Sequence, residues 1–284
     1  MTRTTILRGA AVIVASLGII VPLPNGAMAR TQSTTNAAAT GLTTHSATDT
    51  TVNSAGQLVA TALCGPNQHV VSGGFKSPDQ SAAVVSHAVS GDRWTVHLYP
   101  GNSTSLTAYA YCSQQDGITK HEHEVAAAAG PTNNVAQATC PLGQTLVSGG
   151  YAFVSTSDES NSPTYRDFAA TPRKWLVMAI FSNVPANLEA FAYCEKGVTV
   201  HVRSTMSASI PSDSHGSATA KCHTGETLLG GGYTTTPTPD WDNTTGPDIF
   251  YSASFRSGAL SWTAKGHNYS NMAGTITAFA YCEA

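Results

Sequence analysis

The chain has 284 residues, only 11% of them charged, and 14 basic against 17 acidic side chains leave a net charge of −3. That balance argues against electrostatic binding of nucleic acid, which needs a basic face. Six cysteines with no Cys-x-x-Cys pair among them argue against a thiolate zinc site.

Residues 1–29 read as a secretory signal peptide. Arg3 and Arg8 supply the positive start, Gly9 to Val21 is an apolar middle too short for a comfortable span, and Ala27-Met28-Ala29 is a small-x-small cleavage site. Cleavage removes two arginines and no acid, so −3 becomes −5 in the mature chain. No second long apolar run follows, so the mature chain is expected to carry no membrane span and to be secreted. Residues 30–40, rich in Thr and Ala, are expected to be a disordered lead-in.

From residue 41 the chain spells one pattern three times, over 41–116, 117–196 and 197–284. Each copy opens Gly-hydrophobic-Thr-x-His and so places His45, His121 and His201. Each continues to Ala-x-Ala-x-Cys (Cys64, Cys140, Cys222), then to a glycine pair (Gly73-Gly74, Gly149-Gly150, Gly231-Gly232) followed by an aromatic (Phe75, Tyr151, Tyr233). A lone tryptophan comes next (Trp94, Trp175, Trp262), and a strand ending Tyr-Cys closes the copy at Cys112, Cys194 and Cys282. Such self-similarity takes precedence over any local reading. In an exported chain the repeat selects one pairing of the six cysteines: Cys64–Cys112, Cys140–Cys194 and Cys222–Cys282.

The informative windows alternate with period two, which predicts strands. In the last of them, Ile276, Ala278, Ala280 and Cys282 share one small face, and Thr277, Phe279 and Tyr281 share the other. The glycine pairs predict a bulge or a close backbone approach. The fold expected is all-β: three homologous antiparallel repeats in a pseudo-threefold, β-prism-like arrangement, with three tandem small β domains as the rival. The junctions are short, and one of them carries the turn dipeptide Asp116-Gly117. They suggest that each closing strand turns back to pair with the next opening strand. The ring would then close by pairing Leu42–Ala47 with Ile276–Cys282.

The run Cys140-Pro141-Leu142-Gly143, taken with the Gly-Gly, Trp and Tyr-Cys features, resembles repeats of uncharacterised exported bacterial proteins. The resemblance covers all three copies and implies no activity. The first and third copies depart from it at Cys64-Gly65-Pro66-Asn67 and Cys222-His223-Thr224-Gly225.

Candidate chemistry is sparse. His121-Glu122-His123-Glu124 puts two imidazoles on one strand face, yet it is not the helical His-Glu-x-x-His motif. Threefold symmetry could gather His45, His121 and His201 at a shared axis as a metal site; the plainer reading is a polar strand position. The three repeat tryptophans read as core residues. Trp241 lies outside the repeat, between Asp240 and Asp242, where a ring can stack on sugar and carboxylates can accept hydroxyl hydrogens. Tyr165 and Asp167 occupy the corresponding stretch of the second copy. No Gly-x-Ser-x-Gly elbow or phosphate-cradling loop appears, and Asp158, Glu159, Asp240 and Asp242 read as loop carboxylates. The function expected is non-catalytic binding, lectin-like, with a glycan or cell-surface polymer as partner and without cofactor, metal or catalytic residues. A structural or adhesive wall protein is the alternative, and a secreted hydrolase the third reading.

Overall fold

The computed structural model describes residues 32–35, 42–78, 83–101, 103–114, 118–126, 133–154, 164–180, 187–237 and 248–284. Each copy contributes six strands among them. In the first these are β2 (Thr43–Asp49), β3 (Leu58–Leu63), β4 (His69–Lys76), β5 (Ala83–Val89), β6 (Arg93–Tyr99) and β7 (Leu106–Ser113), preceded by β1 (Gln32–Thr35). In the second they are β8 (Thr119–Ala126), β9 (Asn133–Thr139), β10 (Gln144–Val154), β11 (Thr164–Thr171), β12 (Lys174–Ile180) and β13 (Asn187–Lys196). In the third they are β14 (Val200–Met206), β15 (Ser214–Lys221), β16 (Thr227–Thr236), β17 (Ile249–Gly258), β18 (Ser261–Asn268) and β19 (Thr275–Glu283). No helix of the described residues is long and apolar enough to cross a membrane.

The strands form three antiparallel sheets, and no sheet belongs to one copy. The first runs β1-β2-β7-β4-β17-β18-β15, the second β3-β6-β5-β10-β13-β8, the third β14-β19-β16-β11-β12-β9. Each copy therefore gives its first, sixth and third strands to one sheet and its second, fifth and fourth to the neighbouring one. The exchange is cyclic, so the three sheets close into the expected pseudo-threefold, prism-like body. Tandem small domains are ruled out by the shared sheets.

Closure works differently from the junction reading. β2 pairs with β7 of its own copy, and β19 pairs with β14 and β16 of its own copy. The ring closes instead at mid-sheet seams, where β17 meets β4, β5 meets β10 and β11 meets β16. Between β13 and β14, Gly197 at φ 77° lies where the chain passes from one sheet to the next, without a hairpin. Asp116 and Gly117 lie outside the described residues. The lead-in expected to be disordered contributes β1, which adds to the edge of the first sheet against β2.

The repeat signature is the seam. A Cβ on the first glycine of each pair would stand 2.1 Å (Gly73), 2.0 Å (Gly149) or 2.3 Å (Gly231) from the ring of its own copy's tryptophan. A Cβ on the second would meet a backbone oxygen across the seam: Ser254 O at 2.4 Å from Gly74, His87 O at 2.2 Å from Gly150, Asp167 O at 2.3 Å from Gly232. Only glycine permits both approaches. The three tryptophans are fully buried, as the core reading expected. Each meets the Tyr of another copy edge-on: Trp94 with Tyr193 at 5.9 Å, Trp175 with Tyr281 at 5.6 Å, Trp262 with Tyr111 at 5.7 Å. Those tyrosine hydroxyls accept backbone N–H bonds across the seam, from Val89 (2.8 Å), Ala169 (2.7 Å) and Arg256 (2.7 Å).

The expected disulfides are all present, and each joins two sheets. Cys64 follows β3 while Cys112 lies in β7, and the pairs Cys140–Cys194 and Cys222–Cys282 repeat the arrangement. Loop separations of 48, 54 and 60 residues correspond to about 4 kcal/mol each in the chain-entropy model. Three disulfides and no free cysteine suit an oxidising compartment.

Candidate functional site at the loop end of the prism

Strand directions give the body two unlike ends. At one end each chain leaves its disulfide through a tight turn; at the other the sheet-to-sheet crossovers lengthen from 77–82 to 155–163 to 237–248. Among the described residues of that second end, the third copy carries a polar and aromatic cluster. His215 on β15 stands directly opposite His267 on β18. Their Nδ1 atoms are 2.7 Å apart, and His267 Nε2 lies 3.0 Å from Asp213 Oδ1. Asp213 sits at φ 49°, a left-handed conformation that an aspartate tolerates better than most residues. His267 is buried, while His215 and Asp213 are exposed.

Tyr269, 44% exposed, lays its ring 4.1 Å from that of His267 and meets Phe250 edge-on at 5.3 Å. Buried Asn268 holds the cluster from beneath. Its Nδ2 donates to the carbonyls of Ile210 (3.1 Å), Pro211 (3.1 Å) and Met272 (2.7 Å), and its Oδ1 accepts from Ser270 Oγ (2.9 Å). The segments 210–211 and 270–272 are thereby pinned to one amide, and a site so supported keeps its shape.

The sequence candidates fall around this cluster unevenly. Asp240, Trp241 and Asp242 lie outside the described residues, as do Asp158 and Glu159. Asp248, where the described chain resumes after them, accepts a hydrogen bond from Tyr165 Oη (2.7 Å), and its carbonyl accepts from Tyr269 N (2.8 Å). Tyr165 therefore stands below the ends of two crossovers, buried with Met178 and Ile180, and offers no ring face to solvent. Burial pushes its hydroxyl well above the usual tyrosine range, and the Asp248 carboxylate pushes it further.

Asp167 is more deeply placed. It lies on β11 at the seam, where its Oδ1 accepts from Trp175 Nε1 (2.7 Å) and its Oδ2 meets His87 Nε2 (2.7 Å). His87, Asp167 and Ser254 occupy the same position of the three copies, each opposite the aromatic after the glycine pair. Ser254 Oγ accepts from Trp262 Nε1 (3.0 Å). A Ser, a His and an Asp thus surround the pseudo-threefold axis. All three are buried, and no hydrogen bond joins Ser254 to His87 among the described residues. The Ser and Asp hold up their copies' tryptophans. In the first copy His87 holds Asp167 instead, and Trp94 Nε1 has no partner among the described residues.

The repeat histidines do not meet. They lie on β2, β8 and β14, in three different sheets. His45 Nε2 lies 3.1 Å from Gln68 Oε1, and His201 Nδ1 lies 3.0 Å from Glu226 Oε1. In the second copy Thr119, 3.3 Å from His121, donates to Gln144 (3.0 Å). Each opening strand is so clasped to the turn after its cysteine. Glu226 is held well below the usual carboxylate range, to about 2, first by the hydrogen bond from Arg203, then by His201 and the His223 N–H. Among the described residues, the one group of three metal-capable side chains in mutual reach is Cys222, Glu226 and Cys282, whose sulfurs are joined to each other.

The opposite end carries a cleft of about 640 Å³ lined by 63–69, Asp92 and Gln114, where His69 and Asp92 pair at 3.2 Å. The pair is peculiar to the first copy; Thr145 and Arg173 stand in its place in the second. The His215–His267 cluster left a faint sequence trace. Each histidine occurs once, in a copy-specific position, and only strand register makes them neighbours. A scan against family models finds no match to the chain, and a search of curated proteins returns none either.

Proposed function

We propose that this is a secreted, non-catalytic recognition protein whose loop end binds carbohydrate. The observation that supports it best is the exposed Tyr269 ring, braced by His267 and Phe250 beside the Asp248 junction, from which the Trp241 segment departs. An aromatic face with carboxylates and imidazoles at its rim suits a polyhydroxylated ligand. The closed scaffold favours the same reading, because a rigid body that varies its crossovers at one end presents loops without losing its frame. Export is supported by the apolar start with its Ala27-Met28-Ala29 site and by the three disulfides.

Glycan-array and calorimetric binding by the purified chain tests the reading. Binding is expected to fall at least tenfold in Tyr269→Ala and in Trp241→Ala, with folding unchanged. Binding that survives both substitutions contradicts the site, and an array without any hit contradicts the function. A wall-associated structural role is the second reading, favoured by the exchanged sheets and their cross-sheet disulfides. Cell-surface self-association with no glycan bound points to it.

A further inference from the structure

We infer that His215 and His267 form a binding site for a late first-row divalent metal ion, copper(II) above the others. The site shares His267 and the Tyr269 ring with the carbohydrate reading but does not depend on it. The two residues are register partners on adjacent antiparallel strands, so the backbone itself holds their Cβ atoms together. Asp213 Oδ1, 3.0 Å from His267 Nε2, accepts the proton of that nitrogen. The neutral ring then carries its lone pair on Nδ1, the atom that faces His215. A carboxylate behind a histidine, fixing its tautomer and orienting its ring, is the usual support of a metal ligand.

At metal–nitrogen bonds of about 2.0–2.1 Å, cis ligands at a right angle are separated by about 2.9 Å and tetrahedral ligands by about 3.3 Å. The observed 2.7 Å between the Nδ1 atoms is the length of the hydrogen bond that joins the two rings, and a small rotation of exposed His215 opens it to either spacing. Copper(II) stands above the other ions because it heads the affinity order for nitrogen sites. His267 is fixed by Asp213 and by the Tyr269 ring, whereas exposed His215 can turn. With its lone pair on Nδ1, His267 accepts from His215 Nδ1–H; on binding, His215 gives up that proton to solvent and takes one at Nε2, its freed Nδ1 lone pair turns to the ion, and the remaining coordination positions go to water. Asp213 is a positioning residue, since its carboxylate lies on the far side of the His267 ring.

The test is copper(II) titration of the full chain, prepared without a histidine tag and with glycine as competitor, read by calorimetry and by electron paramagnetic resonance. One axial copper site with two-nitrogen coupling is expected. His215→Ala should weaken it at least tenfold and remove one nitrogen from the spectrum. Asp213→Asn should weaken it while keeping both nitrogens. His201→Ala, on a different sheet, should change nothing. Because His215 is exposed, its loss should leave the near-ultraviolet dichroism intact. Equal copper affinity in wild type and His215→Ala, no specific binding at all, or a spectrum altered by His201→Ala instead would each overturn the assignment.

Discussion

Three residue types per copy account for the seam: a glycine pair, a tryptophan and a closing tyrosine. The repeat made all of them visible, and their chemistry made two of them interpretable. Glycine in a strand signals close approach, and tryptophan on an alternating strand signals core. Asp167 could not be interpreted in the same way. It ends a long variable stretch and so reads, with Tyr165, as a candidate ligand-binding residue of a loop, yet β11 begins at Thr164 and turns it inward. The trace was available: in the second and third copies the polar partner stands eight residues before its tryptophan. Asp167 serves His87 and Trp175 together, both buried. Asp167→Ala is expected to cost about 3–5 kcal/mol, since it strands a buried imidazole and an indole N–H at once. Chemical denaturation measures this. A loss below about 1 kcal/mol would mean that the buried pair contributes little.

At the scale of elements, strand existence was readable and strand partnership was not. Alternation marked the strands, while pairing of sequence neighbours was assumed at the junctions. The junctions turn a prism corner instead, and the exchange occurs at crossovers whose sequences vary most. The opening strands are each held by a clasp, strongest in the third copy, where Glu226 takes Arg203 at 2.6 Å, His201 at 3.0 Å and the His223 N–H at 2.7 Å. The folded carboxyl titrates near 2, below its ordinary 4.5. The folded state therefore binds fewer protons than the unfolded one, and stability rises with pH. This contribution is present in full above about pH 5 and disappears as pH falls through 4.5 towards 2. Urea midpoints of wild type and Glu226→Gln should differ at pH 6, with the variant less stable, and converge by pH 2. A constant gap across that range would exclude the clasp as its source.

For the whole molecule, exchange of half-copies makes the ring the folding unit. Each copy leaves three strands of every sheet it enters to a neighbour, and each disulfide then fastens two sheets from within one copy. The loop end, with its copy-specific histidines and aromatics, is carried by that frame. Threefold architecture was legible because the repeat was; the unequal decoration of the three loop ends was not, because it depends on register between strands far apart in sequence. The most direct measurement is the folding of a chain that stops at Lys196. Without the third copy, the first sheet loses β15, β17 and β18, and the third loses β14, β16 and β19. A closed ring requires such a chain to show no cooperative unfolding transition and to expose Trp94 and Trp175 to fluorescence quenchers. A cooperative melt with both tryptophans shielded would contradict the shared-sheet ring.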